Sequence, residues 1–346
     1  MQPHPHSLIP PYVLQAIARH ADPAVRDAAL NTLGLERTFA VGRELGARTM
    51  RSAAPPATAP RLDRRIHDAH GEETLPGDLV RAEGAPASDD VAVNEAYDGL
   101  GDTWRLYREV YGRNSIDDAG LPLSGTVHFG QAYDNAYWDG EQMVFGDGDG
   151  VVFNRFTIAV DVIGHELTHG VTGATADLEY RNQPGALNES ISDVFGSLVK
   201  QYALGQTAEQ ADWLIGAGLL AEGVNGVALR SMKAPGTAYD DEQLGGKDPQ
   251  PAHVDDYLRT TSDNGGVHTN SGIPNHAFYL AATAIGGSAW EAAGRIWYDA
   301  LTGGDLPSDA SFPVFAALTV RVAEGVDAAA RTAVSDAWSQ VGIDVP

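Results

Sequence analysis

The chain contains no cysteine. Disulfides, thiolate catalysis and cysteine-bound zinc are therefore excluded, while compartment is left open. Basic residues are scarce: 23 Lys and Arg stand against 47 Asp and Glu, a formal net charge of −24. So acidic a surface repels phosphate backbones, and no nucleic-acid partner is expected. No apolar run reaches the length of a membrane helix, so no membrane partner is expected either. The stretch Met1 to His20 holds prolines and histidines where a secretory signal needs a charged start and an apolar run. Secretion without an ordinary signal peptide is the expectation, with the cytoplasm as the alternative. What the chain does have is length, 346 residues, and 43% hydrophobic content. That suffices for two packed domains or one large one, with a real core.

Composition changes along the chain. Residues 1–50 carry two short helical patterns, near Tyr12–Arg19 and Ala24–Leu33. Ser52–Pro60 reads Ser-Ala-Ala-Pro-Pro-Ala-Thr-Ala-Pro, a linker and a plausible cleavage zone, because small residues and prolines bury little. The division expected is 1–60 as leader and linker, 61–195 as a β-rich lobe, and 196–346 as a helical lobe. Within the second segment, Tyr133–Trp138 and Glu141–Phe145 flank Asp139-Gly140, which suits a type I′ hairpin turn. Gly146-Asp147-Gly148-Asp149-Gly150 then reads as a tight loop; a calcium loop is the alternative.

The chemistry concentrates on two helical patterns. From Phe156 to Val171, residues Ile158, Val162, Ile163, Leu167 and Val171 form one buried stripe. Inside it lies His165-Glu166-Leu167-Thr168-His169. Residues four apart share a helix face, so both imidazoles can bind one zinc ion. Glu166 projects beside the metal, where a base for water belongs. A metzincin would continue with glycine and histidine at 172 and 175; Thr172 and Thr175 exclude that class. The second pattern, Ala186–Tyr202, carries Glu189 and Asp193 on one face. They make sense as the third ligand and as an acceptor for a ligand histidine. Solvated carboxylates and solvated helix histidines are the plain structural alternatives.

The run His165–Tyr202 closely resembles the thermolysin family of metallopeptidases. So do Asn135-Ala136-Tyr137-Trp138 with Gly146–Gly150, Leu229-Arg230-Ser231-Met232, and Asp263–Gly272. The match covers most of residues 61–346. Ile9-Pro10-Pro11-Tyr12-Val13-Leu14 resembles the leader of the protealysin-like branch, whose short propeptide is removed on maturation. The resemblance implies an α+β, two-lobed fold, with the zinc helix along the cleft floor. It assigns the oxyanion donors to Tyr180 and His268, with Asp263 orienting His268. It makes Asn135–Trp138 the edge strand that pairs with an extended peptide, with Asn135 and Arg230 binding its amide and carbonyl groups. It places Phe153, Phe156, Val162, Ile215 and Leu229 around the main specificity pocket, which implies preference for a bulky apolar residue after the cut bond. Peptide or protein substrates are expected, with the chain's own propeptide as inhibitor and a monomer as the working unit.

Departures are also legible. Asp161 and Asp212 match two ligand positions of a paired-calcium site, but Lys200, Leu214 and Ala217 stand where further carboxylates would be. Val227 stands where another calcium site needs aspartate. Little or no structural calcium is expected there, with the Lys200 ammonium as replacement cation. His4 and His6 are candidates to approach the zinc. A zinc aminopeptidase would need acidic groups to capture a free amine, and no motif supplies them. A non-catalytic adhesin on the same scaffold would be expected to lose Glu166, Tyr180 or His268, and all three are present.

Overall fold

A computed structural model describes residues 6–46 and 60–345. The His4 reading and the linker up to residue 59 lie outside the described residues, as does the His6 side chain. The first described elements are β1 (His6–Ser7), α1 (Pro11–Ile17) and α2 (Pro23–Gly46). Pro11 starts α1 where a missing N–H costs nothing, and its fixed φ suits a first helical turn. The second helix runs well past the expected Leu33.

The sheet-bearing part contributes β2 (Arg64–Asp68), β3 (Asp78–Ala82), α3 (Val91–Arg105), β4 (Leu123–Val127), β5 (Ala136–Trp138) and β6 (Gln142–Phe145). Strand order is β1-β5-β6-β4-β2-β3. The leader strand β1 lies antiparallel on β5, with His6 opposite Trp138 and Ser7 opposite Tyr137. Without β1, β5 is the edge of this sheet. The β5–β6 hairpin differs from the expected type I′ turn at Asp139-Gly140. The Asp139 N–H donates to the Gln142 carbonyl, so the turn residues are Gly140-Glu141. Gly140 has φ 105°. The Asp139 carboxylate accepts the Glu141 and Gln142 N–H groups at 2.7 and 2.8 Å, which pulls the turn one residue on.

The lobe boundary region is built from α4 (Val160–Gly173) and α5 (Asn182–Leu204). The helix pattern that begins at Phe156 opens as a 3-10 turn, Phe156–Ile158, before α4 proper. Ile158, expected inward, is 38% exposed on that turn, whereas Val162, Ile163, Leu167 and Val171 are buried. The two helices cross closely at glycines. A Cβ on Gly196 would sit 2.3 Å from the Asp161 carbonyl oxygen, and one on Gly164 would lie 3.0 Å from Val199. Close approach of the two backbones sets how near α5 side chains come to α4.

Short strands β7 (Leu214–Ile215) and β8 (Arg230–Ser231) pair antiparallel. The tail is helical: α6 (Asp263–Asn270), α7 (Gly272–Ile285), α8 (Ala292–Thr302), α9 (Phe312–Glu324) and α10 (Ala328–Gln340). One apolar core is continuous from Leu8, Ile9, Val13, Leu14 and Ile17 of the leader into both lobes.

Candidate active site

His165 and His169 both face α5 from the middle of α4, and both are buried. His165 Nδ1 lies 2.8 Å from Asp193 Oδ1, and His169 Nδ1 lies 2.8 Å from Asn188 Oδ1. Both partners are acceptors, so each Nδ1 carries its proton and each Nε2 presents a bare lone pair. The two Nε2 atoms are 3.1 Å apart. Glu189 completes the triangle, with Oε2 3.5 Å from His165 Nε2 and Oε1 3.5 Å from His169 Nε2. Bare lone pairs at such separations repel unless a cation sits among them. A tetrahedral zinc ion with nitrogen and oxygen ligands at about 2.0–2.1 Å separates them by roughly 3.3–3.4 Å. The donor set and its spacing therefore fit zinc.

Glu166 also comes within 4.8 Å of both imidazoles. Two carboxylates thus compete for the role of third ligand. Glu189 touches both Nε2 atoms, whereas Glu166 Oε2 accepts the Trp138 N–H at 3.0 Å and is held toward β5.

Behind the ligands, Asp193 serves three partners. It accepts Nε and Nη2 of Arg230, each at 2.8 Å, besides the His165 ring. Asn275 Nδ2 adds a further donor at 2.8 Å. Burial opposes the charge, but the Arg230 guanidinium and the His165 ring hold this carboxyl well below the usual carboxylate range.

Across the cleft, Asp263 to Gly266 form a left-handed turn with φ of 50°, 50°, 92° and 77°. Gly265 is needed there: a Cβ would lie 2.2 Å from Asn182 Oδ1. The turn folds Asp263 back so that its carboxylate accepts His268 Nδ1 at 2.7 Å and the His268 N–H at 3.0 Å. Burial alone would lower the His268 pKa; Asp263 and Glu189 outweigh it and raise the ring to about 9. The Tyr180 hydroxyl donates to Glu189 Oε1 and lies 3.3 Å from His268 Nε2. Burial and the Glu189 carboxylate push this phenol well above its ordinary pKa.

The cleft is filled by the leader. His268 Nε2 lies 3.0 Å from the Ser7 carbonyl oxygen. The Leu8 N–H donates to the Ala136 carbonyl at 3.2 Å, and Arg230 Nη1 donates to the Leu8 carbonyl at 3.3 Å. The Ile9 N–H donates to Asn135 Oδ1 at 2.9 Å, and Asn135 Nδ2 donates to the Ile9 carbonyl at 3.4 Å. Every main-chain group of Leu8 and Ile9 is thus engaged by residues that the resemblance assigns to substrate. Phe153, Phe156, Val162, Ile215 and Leu229 are buried in the same core as Leu8. Phe153 and Phe156 have ring centroids 5.7 Å apart.

Comparison with known proteins gives three family matches. Residues 58–173 match the thermolysin metallopeptidase catalytic domain, residues 176–343 its alpha-helical domain, and residues 6–34 the protealysin propeptide. An extracellular metalloprotease of Pectobacterium carotovorum subsp. carotovorum is 55% identical over 340 residues, which is 98% of this chain and 96% of the relative. The chain belongs to the thermolysin metallopeptidase family. Protease PrtS of Photorhabdus sp. (strain Az29) is 51% identical over 98% of this chain and 92% of its own. Among solved structures, the precursor of protealysin, a metalloproteinase from Serratia proteamaculans, superposes with a TM-score of 0.89 at 56% identity, covering 98% of this chain and 99% of that one. This thermolysin-family chain is a zinc metalloendopeptidase with a protealysin-type propeptide, and its α+β architecture is that of the family.

Sequence reasoning missed three contributors to the site. Asn188 and Ser192 both contact His169 Nδ1, Ser192 Oγ at 3.1 Å. Their signal was present: they stand four apart beside Glu189, on the face turned to α4. Glu36 of α2 was silent, because its role depends on a contact 99 residues away. Its carboxyl accepts from Asn135 Nδ2 in a buried setting. Burial raises it to about 7 against the lowering effect of that bond.

Proposed function

We propose that His165, His169 and Glu189 are the zinc ligands and that Glu166 is the general base of peptide hydrolysis. Zinc, when bound, supplies an acidified water, with pKa near 7, and polarises a carbonyl. Glu166 takes the water proton and passes it to the leaving amine, a transfer that its position against β5 permits without moving the helix. Tyr180 and His268 donate to the developing oxyanion, and Asp263 keeps His268 turned toward it. Asn135, Ala136 and Arg230 bind the substrate main chain. Because backbone groups carry that binding, the enzyme tolerates many sequences. Phe153, Phe156, Val162, Ile215 and Leu229 select a bulky apolar residue just after the cut bond.

The observation that carries this reading is the seating of Ser7–Ile9. A segment of extended chain already makes, on the assigned residues, the contacts a substrate would make. Residues 1–60 therefore act as an inhibitory propeptide and linker, which the enzyme removes from itself. The lobes divide as 61–195 and 196–346, the molecule works as a secreted monomer, and no helix among the described residues is long and apolar enough to cross a membrane. Structural calcium is absent at the Asp161–Asp212 site. There Lys200 Nζ lies 3.0 Å from Asp161 Oδ2, 2.9 Å from Asp212 Oδ1 and 3.1 Å from the Leu214 carbonyl, which supports a lysine in the cation's place.

Metal analysis combined with a blocked-peptide assay tests the central assignment. Wild type should hold about one zinc per chain and cut blocked peptides. Glu166→Ala should hold the same zinc and lose about 10²–10⁴-fold in kcat. Loss of zinc in Glu166→Ala with retention in Glu189→Ala would exchange the two roles and refute the assignment. A peptide library that returns acidic or small residues after the cut would refute the pocket.

A further inference from the structure

The leader does more than lie across the cleft: its chain direction and register single out one peptide bond. Ser7 is opposite Tyr137 and His6 opposite Trp138, in antiparallel pairing. The Ser7 carbonyl meets His268, the Leu8 carbonyl meets Arg230, and Ile9 is clasped at both ends by Asn135. Glu166 is fixed by the N–H of Trp138, on the strand against which Ser7 lies. The Leu8 side chain, fully buried, belongs to the apolar core that includes the five pocket residues. On the site assignment proposed above, the bond with its carbonyl at His268 and the next residue held between Ala136 and Arg230 is Ser7–Leu8.

We propose that the Ser7–Leu8 bond is a self-cleavage site, cut within the same molecule before the linker is cut. The reaction is plain hydrolysis. A water oxygen adds to the Ser7 carbonyl carbon, the bond from that carbon to the Leu8 nitrogen breaks, and Glu166 carries a water proton to the new Leu8 amine. The new carboxylate stays with Ser7. Order follows from occupancy. One cleft holds one extended segment, so while Ser7–Ile9 is seated a molecule cannot present its own linker to its own centre. The first cut is intramolecular and falls in the seated segment. It severs β1 from the rest of the leader, so Leu8 and Ile9 lose the covalent tether to the strand paired with β5, which weakens what remains of the docking. Linker cleavage then proceeds on an opened molecule or between molecules.

Intact-mass analysis of freshly purified, zinc-loaded full chain tests this. The first product should lack the segment ending at Ser7, and its rate constant should not change over a tenfold range of protein concentration. Glu166→Ala should keep that segment. Leu8→Asp should slow the cut by at least roughly tenfold, since an apolar pocket discriminates by about that much, while Leu8→Phe should be cut. Hydrogen exchange on metal-stripped Glu166→Ala protein should show protected Leu8 and Ile9 amides, independent of any turnover. The proposal is overturned if wild type loses its linker and cuts blocked peptides while the segment through Ser7 stays attached, or if those amides exchange freely. Nicking of Glu166→Ala at the wild-type rate also overturns it. A loaded wild type that cuts no blocked peptide after linker removal instead refutes the site assignment beneath it.

Discussion

The crossing of α4 and α5 buries two clusters of charge that solve one problem in different ways. Near the middle, His165, His169 and Glu189 converge, and the nearest cation of the chain, the His268 ring, lies off to one side, 3.4 Å from Glu189 Oε2. About three turns further along α5, Asp161 and Asp212 converge on Lys200. Buried carboxylates need a counter-charge in either place. Burial raises the Asp161 pKa and Lys200 works against that rise, while the Lys200 ammonium is raised by the two carboxylates despite its own burial. An ammonium suffices where the task is to hold two segments together. It has no vacant coordination position, so it cannot serve where a water and a carbonyl must be activated. The difference teaches that a side-chain cation can satisfy buried carboxylates where only cohesion is needed, whereas activating water and a carbonyl calls for a metal.

Chelation separates the two clusters most sharply. Stripping zinc should abolish hydrolysis, whereas a calcium-selective chelator should leave both activity and melting temperature unchanged; a large calcium-dependent fall in melting temperature with zinc retained would break the comparison. Next in size is Lys200→Ala. It leaves buried Asp161 facing Asp212 and should cost about 3 kcal/mol in urea unfolding, the low end for a broken buried pair because Asp212 is 45% exposed. Lys200→Glu should be destabilised similarly and regain stability in millimolar calcium. Asn188→Ala removes one acceptor behind His169 and should weaken zinc affinity about 10–100-fold, read by competition with a chelator. A smaller effect comes from a third cluster away from the helix crossing. His128 bridges Asp147 and Asp90, each at 2.8 Å. Hydrogen bonding to Asp147 raises its pKa to about 9, against burial. A raised histidine stabilises the fold fully below its unfolded pKa of about 6.5, and that contribution is lost as pH rises through 9. His128→Gln should therefore lower stability at pH 6 by on the order of 1 kcal/mol and change little at pH 10.

Much of this was legible because helix spacing is rigid. His165 and His169, four apart, could only share a face, and Glu189 with Asp193 likewise. Apolar periodicity marks a packed face, so helices expected at Pro274–Ile285, Ala289–Leu301, Phe312–Ala323 and Asp327–Val341 form as α7 to α10 within a few residues of those bounds. The turn after Trp138 was misplaced because the Asp139 carboxylate, not the glycine alone, decides where the chain reverses. Ile158 was taken into the stripe because periodicity cannot see that the first turn is 3-10, which rotates side chains away from the α-helical face. Glu36 was invisible because nothing local marks a contact between a leader helix and a distant edge strand. Of Ser7, Leu8 and Ile9, only Ile9 stood out, as the start of the run Ile9–Leu14; their register against β5 is a property of the assembled sheet.

Strand β5 is only three residues long. Its outer side offers few main-chain donors and acceptors, and the most exacting contacts to Leu8 and Ile9 come instead from the Asn135 and Arg230 side chains. A border so brief is a poor template for a foreign sheet, which grips by accumulating many backbone bonds. With the leader gone, the groove would hold a single extended peptide without offering neighbouring molecules a seam along which to stack.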